Sequence, residues 1–191
     1  MNRREALSRV ALLLGGTVIG GTVFLEGCKP GDKRYGASET FTPEDIAYLD
    51  EIAETIIPAT NTPGAKAAKV GAFMTVMVND CYTKDDQKTF KQGMGKLNEE
   101  SDKKFKSDFM DLSAEQRKEL LNALDTEQKE YVKTKKPEEP NHYFRMMKEL
   151  TLLGYFTSEI GATQALRYDP VPGRYDGCLP YKKGDRAWAT S

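Results

Sequence analysis

The sequence predicts an all-α protein, a small bundle of about five helices followed by an irregular, disulfide-pinned C-terminal coil. Three observations carry that expectation. Apolar residues recur every three or four positions in separate stretches. Thr42, Thr83 and Ser113 each precede such a stretch with Asp45, Asp86 or Gln116 three residues on, the spacing of a capping box. Pro- and Gly-rich segments punctuate the pattern at residues 59–65, 135–140 and beyond 168. A chain of 191 residues has room for one ordinary domain. With 28 basic against 29 acidic side chains it lacks the basic footprint that phosphate-backbone binding requires, so nucleic acid is not an expected partner.

Residues 1–27 read as an export signal. Arg3, Arg4 and Arg9 form a basic start, and an apolar run over 10–25, diluted by Gly15, Gly16, Gly20 and Gly21, is short of the roughly 20 apolar residues of a spanning helix. Adjacent Arg3 and Arg4 followed by Leu7 resemble a twin-arginine signal, the address for proteins exported already folded; Ala6 stands where such signals prefer Phe. Leu25, Glu26, Gly27 and Cys28 resemble a lipobox, with Glu26 where a small residue is usual. Cleavage before Cys28 and acylation of its thiol would leave a periplasmic protein tethered by lipid to the cell-envelope membrane, with 25 basic against 27 acidic residues. Residues 28–40, rich in Gly, Ser and charge, read as a flexible tether, and the domain as 41–191.

The helices follow in order. Thr42, Pro43 and Asp45 open the first, whose Ile46, Leu49, Ile52, Ala53 and Ile56 share a face until Pro58 ends it. Val70, Phe73, Met74, Met77, Val78 and Cys81 mark the second. The charged middle still carries helical spacing, giving helices near 84–104 and 114–132 whose charges are solvated faces. The KKPEEP run is a loop. A long helix over about 141–166 carries apolar residues around much of its circumference, which argues for burial, with Gly154, Ser158 and Ala162 lining a close-packing edge. After Tyr168 no period survives, but Tyr168, Val171, Tyr175, Leu179, Tyr181 and Trp188 are too aromatic for a purely solvated tail.

If Cys28 is acylated, Cys81 and Cys178 remain as an even pair in an oxidising compartment. A disulfide between them would staple the tail to the second helix and stabilise by about 4 to 5 kcal/mol in the chain-entropy model; two buried thiols are the alternative.

Reactive groups do not converge. The one histidine, His142, stands at a helix start, and the acidic neighbours Asp85–Asp86, Glu99–Glu100 and Glu138–Glu139 point about 100 degrees apart on a helix. Cys81, Cys178 and His142 lack the close spacing of zinc ligands. No catalytic residue and no metal site is expected.

The segments 54–64 (ETIIPATNTPG), 70–80 (VGAFMTVMVND) and 154–177 (GYFTSEIGATQALRYDPVPGRYDG) resemble the small-subunit family named for gluconate 2-dehydrogenase subunit 3. The resemblance implies a non-catalytic subunit of a periplasmic, membrane-bound dehydrogenase. It implies partners as well: a flavin subunit of the glucose-methanol-choline oxidoreductase type, which holds FAD, and a c-type cytochrome, which holds haem. The chain itself would carry no cofactor. FAD is loaded in the cytoplasm, so a twin-arginine signal on this chain would serve both subunits, making it an escort and a lipid anchor. Tyr155, Tyr168, Arg174, Tyr175 and Trp188 are the expected partner-binding residues, since aromatics and arginine make good binding anchors. Two rival readings remain: a stand-alone envelope lipoprotein that binds a glycan or small ligand through its aromatic tail, and an enzyme using Asp169, Arg174 and Tyr175.

Overall fold

The computed structural model describes residues 35–171, 173 and 177–189. The expected signal residues Arg3, Arg4 and Leu7, the lipidation site Cys28, and Arg174 and Tyr175 lie outside the described residues. Among those described, five α-helices appear: α1 (Pro43–Ile56), α2 (Val70–Cys81), α3 (Lys84–Phe105), α4 (Ala114–Thr134) and α5 (Tyr143–Thr157). A 3-10 turn (Phe109–Asp111) joins α3 to α4, and a π turn (Gly161–Ala165) follows α5. Each helix falls within a few residues of its sequence expectation except the last, which is shorter.

Local chemistry sets each start. Thr42 Oγ1 accepts the Asp45 N–H at 3.2 Å, while Asp45 Oδ2 accepts the Thr42 N–H at 2.9 Å, so the first capping box is complete. Ser113 and Gln116 repeat the device on α4. Asp45 does more: it is buried, and its other oxygen accepts the Gly36 N–H at 2.8 Å. Tyr35 is buried too, stacked on Tyr48 with ring centroids 3.8 Å apart, and burial together with the nearby Asp108 carboxylate raises its phenol pKa. The packed domain therefore takes in residues 35 and 36 of the expected tether.

α2 has no side-chain cap of its own, and Lys69 before it sits at a φ of 55°. The cap comes from α1, where Asp50 Oδ1 accepts the Gly71 N–H at 2.7 Å. A Cβ on Gly71 would lie 2.5 Å from the Ile46 carbonyl oxygen, so the two helices approach closely only with glycine there.

The core is one cluster drawn from all five helices, with Tyr48, Leu49, Ile52, Met74, Phe90, Met94, Leu97, Phe109 and Met147 fully buried. Each such aliphatic or aromatic side chain contributes roughly 1.5 to 3 kcal/mol of transfer free energy. Gly93 lets α3 press against Tyr143 of α5, and Gly154 lets α5 press against the Phe73 ring of α2. Gly154 thus serves packing inside the domain. No described buried side-chain polar atom lacks a hydrogen-bond partner, and no described helix is long and apolar enough to cross a membrane.

Two expectations are corrected. The long helix stops at Thr157: Ser158 adopts extended backbone (φ −72°, ψ 159°), and its hydroxyl donates to the Tyr155 carbonyl and accepts the Gly161 N–H. Ser158 thus caps a break where periodicity suggested continuation. The structure also contains no Cys81–Cys178 disulfide, and both residues are exposed. Cys81 lies on the Met77 side of α2, Sγ 4.0 Å from Met77 Sδ, but the last turn of the helix leaves it exposed. The tail is fastened elsewhere, to Arg167.

Candidate partner-binding surface

α5 places most of its apolar residues inward. Phe144, Met147, Leu150, Gly154 and Tyr155 are buried, yet Leu152, Leu153 and Phe156 are exposed. At 100° per residue these three share one outer arc with Arg145 and Glu149, an i, i+4 ion pair at 2.7 Å. On one flank the arc meets a shallow groove against α4, floored by Val132 and Leu152 and rimmed by Lys133, Arg145 and Lys148. On the other flank runs α2. Gly154 meets Phe73 while the charge of Glu149 reaches Tyr82, so α2 and α5 run antiparallel, and Val76 of α2 is exposed as well. Three exposed large apolar residues within five positions of one helix form a cluster rather than scattered surface hydrophobics, the kind of feature that marks candidate contact surfaces.

The spread of apolar residues around this helix predicts burial on nearly every side, which the exposed Leu152, Leu153 and Phe156 correct. A helical wheel centred on Met147, Leu150 and Gly154 already places Leu152 and Phe156 opposite the core and Leu153 at its side, about 90° away.

Tyr155 lies elsewhere. It is 1% exposed and its hydroxyl donates to the Pro63 carbonyl at 2.7 Å, so it faces the core and offers a partner no surface. Its bond explains part of the resembling segments. The ATNTPGA loop is held on one side by Tyr155. On the other, Glu54 accepts the backbone N–H groups of Ala59 (2.9 Å) and Lys66 (2.8 Å). A Cβ at Gly64 would sit 2.2 Å from Glu54 Oε1, so glycine is required for the carboxylate to fill the loop. Glu54, Gly64 and Tyr155 form a structural clamp.

His142 is the N-cap of α5. Its Nδ1 accepts the Phe144 N–H at 3.2 Å, its Nε2 lies 3.4 Å from Glu127 Oε1, and its ring stacks on Tyr143. Accepting at Nδ1 requires the proton on Nε2, which then points at Glu127. The side chain is 9% exposed, so the surface position expected of it is instead a covered cap.

Tyr168 and Trp188 are exposed. Arg167 gathers the segment between them: its N–H donates to the Ala187 carbonyl (2.8 Å), its carbonyl accepts the Ala189 N–H (2.9 Å), and its guanidinium donates to the Arg186 carbonyl (3.0 Å). The guanidinium carbon also lies 4.3 Å from the Trp188 ring centroid. Asp169 is occupied locally, Oδ1 accepting the Val171 N–H at 3.1 Å. Among the described residues no three His, Cys, Asp or Glu side chains gather as metal ligands.

No curated protein and no solved structure matches the chain at a significant level. The model of the family described as gluconate 2-dehydrogenase subunit 3 matches residues 43–173, about two thirds of the chain, spanning α1 to α5, the clamped loop and Arg167. On that match, the protein belongs to the gluconate 2-dehydrogenase subunit 3 family, a family named for one subunit of a dehydrogenase.

Proposed function

We propose that this chain is the non-catalytic small subunit of a membrane-bound, periplasmic, FAD-dependent sugar or sugar-acid dehydrogenase. In this reading it binds a glucose-methanol-choline type flavin subunit before export, carries it outward through the twin-arginine signal at Arg3, Arg4 and Leu7, and holds it at the membrane through lipid on Cys28. FAD belongs to that partner and haem c to a cytochrome that takes the electrons. The chain supplies grip, address and anchor.

The observation that carries the reading is the exposed face of α5. Leu152, Leu153 and Phe156 are large apolar side chains on a helix whose other faces are packed, and a folded protein that leaves such a patch in water has a partner to cover it. The adjoining groove, with an apolar floor and a charged rim, has the anatomy of a docking site.

Coexpression with a flavin subunit of the glucose-methanol-choline type tests the reading. Export and activity of the flavoprotein should require this chain, and should fall at least tenfold with Leu152→Glu/Phe156→Glu, since burying two charges opposite an apolar surface costs several kcal/mol. Purification from solubilised membranes should return an FAD-containing and a haem-containing subunit. A flavoprotein exported and active alone would refute the escort role.

A further inference from the structure

The molecule changes sign of charge at the end of the bundle. Residues 35–166 hold 17 basic and 23 acidic side chains, a net of minus 6, whereas residues 167–191 hold five basic and three acidic, a net of plus 2. That basic segment also carries exposed apolar and aromatic residues in unusual density. Tyr168, Leu179 and Trp188 are about half exposed, and Val171 and Tyr181 are 77% and 75% exposed.

The segment is closed rather than trailing, because Arg167 bridges to Trp188 by main-chain and cation–π contacts. At its far end a tight turn forms. Asp185 donates its N–H to the Lys182 carbonyl at 3.0 Å, Lys182 donates its N–H to Asp185 Oδ2 at 2.9 Å, and Gly184 takes the positive φ of 99° that the turn needs. The turn holds Lys182 and Lys183 directly after Tyr181, with Arg186 and Trp188 on the return.

We propose that this closed C-terminal loop is a peripheral membrane contact that seats on an anionic lipid surface. Tyr and Trp settle at headgroup depth, where an apolar ring and a polar tip are both satisfied, and lysines beside them meet lipid phosphates. The charge split favours lipid over a protein partner. The bundle at minus 6 is repelled by an anionic surface and the loop at plus 2 is drawn to it, so the same field that binds the loop orients the molecule loop-first. Protein hot spots, in contrast, cluster in a ringed, desolvated centre, whereas these rings are strung along a loop between exposed cations.

Trp188 is the chain's single tryptophan, so its emission reports on the loop alone. The full chain is mixed with phosphatidylcholine vesicles with or without phosphatidylglycerol, plain or brominated in the acyl chains, and flotation is scored in parallel. In anionic vesicles Trp188 emission should shift to the blue and be quenched by brominated lipid, with the response at least halved in about 0.5 M NaCl. Lys182→Gln/Lys183→Gln should raise the half-saturating lipid concentration about thirtyfold, about fivefold for each lysine. Unshifted, unquenched Trp188 on a chain that floats with the vesicles overturns the proposal. So does a Trp188 response that appears only on addition of the flavin subunit, which would place the loop in a protein interface. The vesicles contain no partner subunit, so failure of the escort reading leaves the expected result unchanged.

Discussion

The bundle and the segment after Ser158 solve the same problem in opposite ways. In the bundle, caps cross between elements, as Asp50 does for α2, and glycines at 71, 93 and 154 let neighbours press together. Apolar groups there are covered by the chain's own atoms. In the C-terminal segment Ile160 and Ala165 still pack on the core, but beyond Arg167 the large apolar side chains described are exposed and the chain is closed on itself by Arg167 and Trp188. The first region covers its own apolar groups; the second is closed by its own contacts but leaves its rings exposed. Chain closure does not bring core burial here, and the closed loop with its bare aromatics is the part proposed to meet a lipid surface.

The contrast is sharpest in truncation of an aromatic ring. Phe90→Ala should cost about 3 to 5 kcal/mol in urea unfolding, because the ring is fully buried and edge-on to Phe41. Trp188→Ala should fall within about 0.5 kcal/mol. Equal losses would erase the distinction between the regions.

Next come two glycines two residues apart on α3. Gly93→Ala should destabilise by about 1 to 3 kcal/mol, since the new Cβ would lie 2.3 Å from Tyr143 Cβ. Gly95→Ala meets nothing nearer than 3.8 Å and should gain up to about 1 kcal/mol from helix propensity. Thermal midpoints moving in the same direction would show that α3 and α5 are not in close register.

Removing one hydroxyl tests the clamp. Tyr155→Phe should lose about 1 kcal/mol and speed amide exchange within residues 59–66, leaving Trp188 emission unchanged.

The smallest effect is acid sensitivity. Partial burial pushes the Asp125 carboxyl up, but hydrogen bonds from Lys129, Lys148 and Gln128 outweigh it and hold the pKa at about 2. A carboxylate with a lowered folded pKa stabilises above its unfolded value near 4, and that contribution is lost as pH falls from about 4 to about 2. Asp125→Asn should flatten this part of the stability profile, read from urea unfolding at pH steps across that range.

Helix positions were legible because they depend on neighbours in sequence. Thr42 with Asp45, Ser113 with Gln116, and the runs behind them announce α1 and α4 within a residue or two. The family resemblance was legible in the same way, from contiguous segments, and the match over residues 43–173 bears it out. The break at Ser158 was hidden because its cause is a side chain bonding its own backbone, which leaves the apolar period intact on both sides. The expected Cys81–Cys178 disulfide is not in the structure, since an even count of thiols says nothing of whether the fold brings a helix end and the C-terminal coil within bonding reach.

The sequence by itself determined the class of fold, the order and ends of most helices, and the family, since each is written in local spacing and composition. Only the tertiary structure decided which residues face outward. It sent Tyr155 into the core against Pro63, exposed Leu152 and Phe156, and tied Arg167 to Trp188. The reason is that periodicity defines a helix's faces without saying how many of them neighbours will cover, and that number is fixed only when distant segments pack.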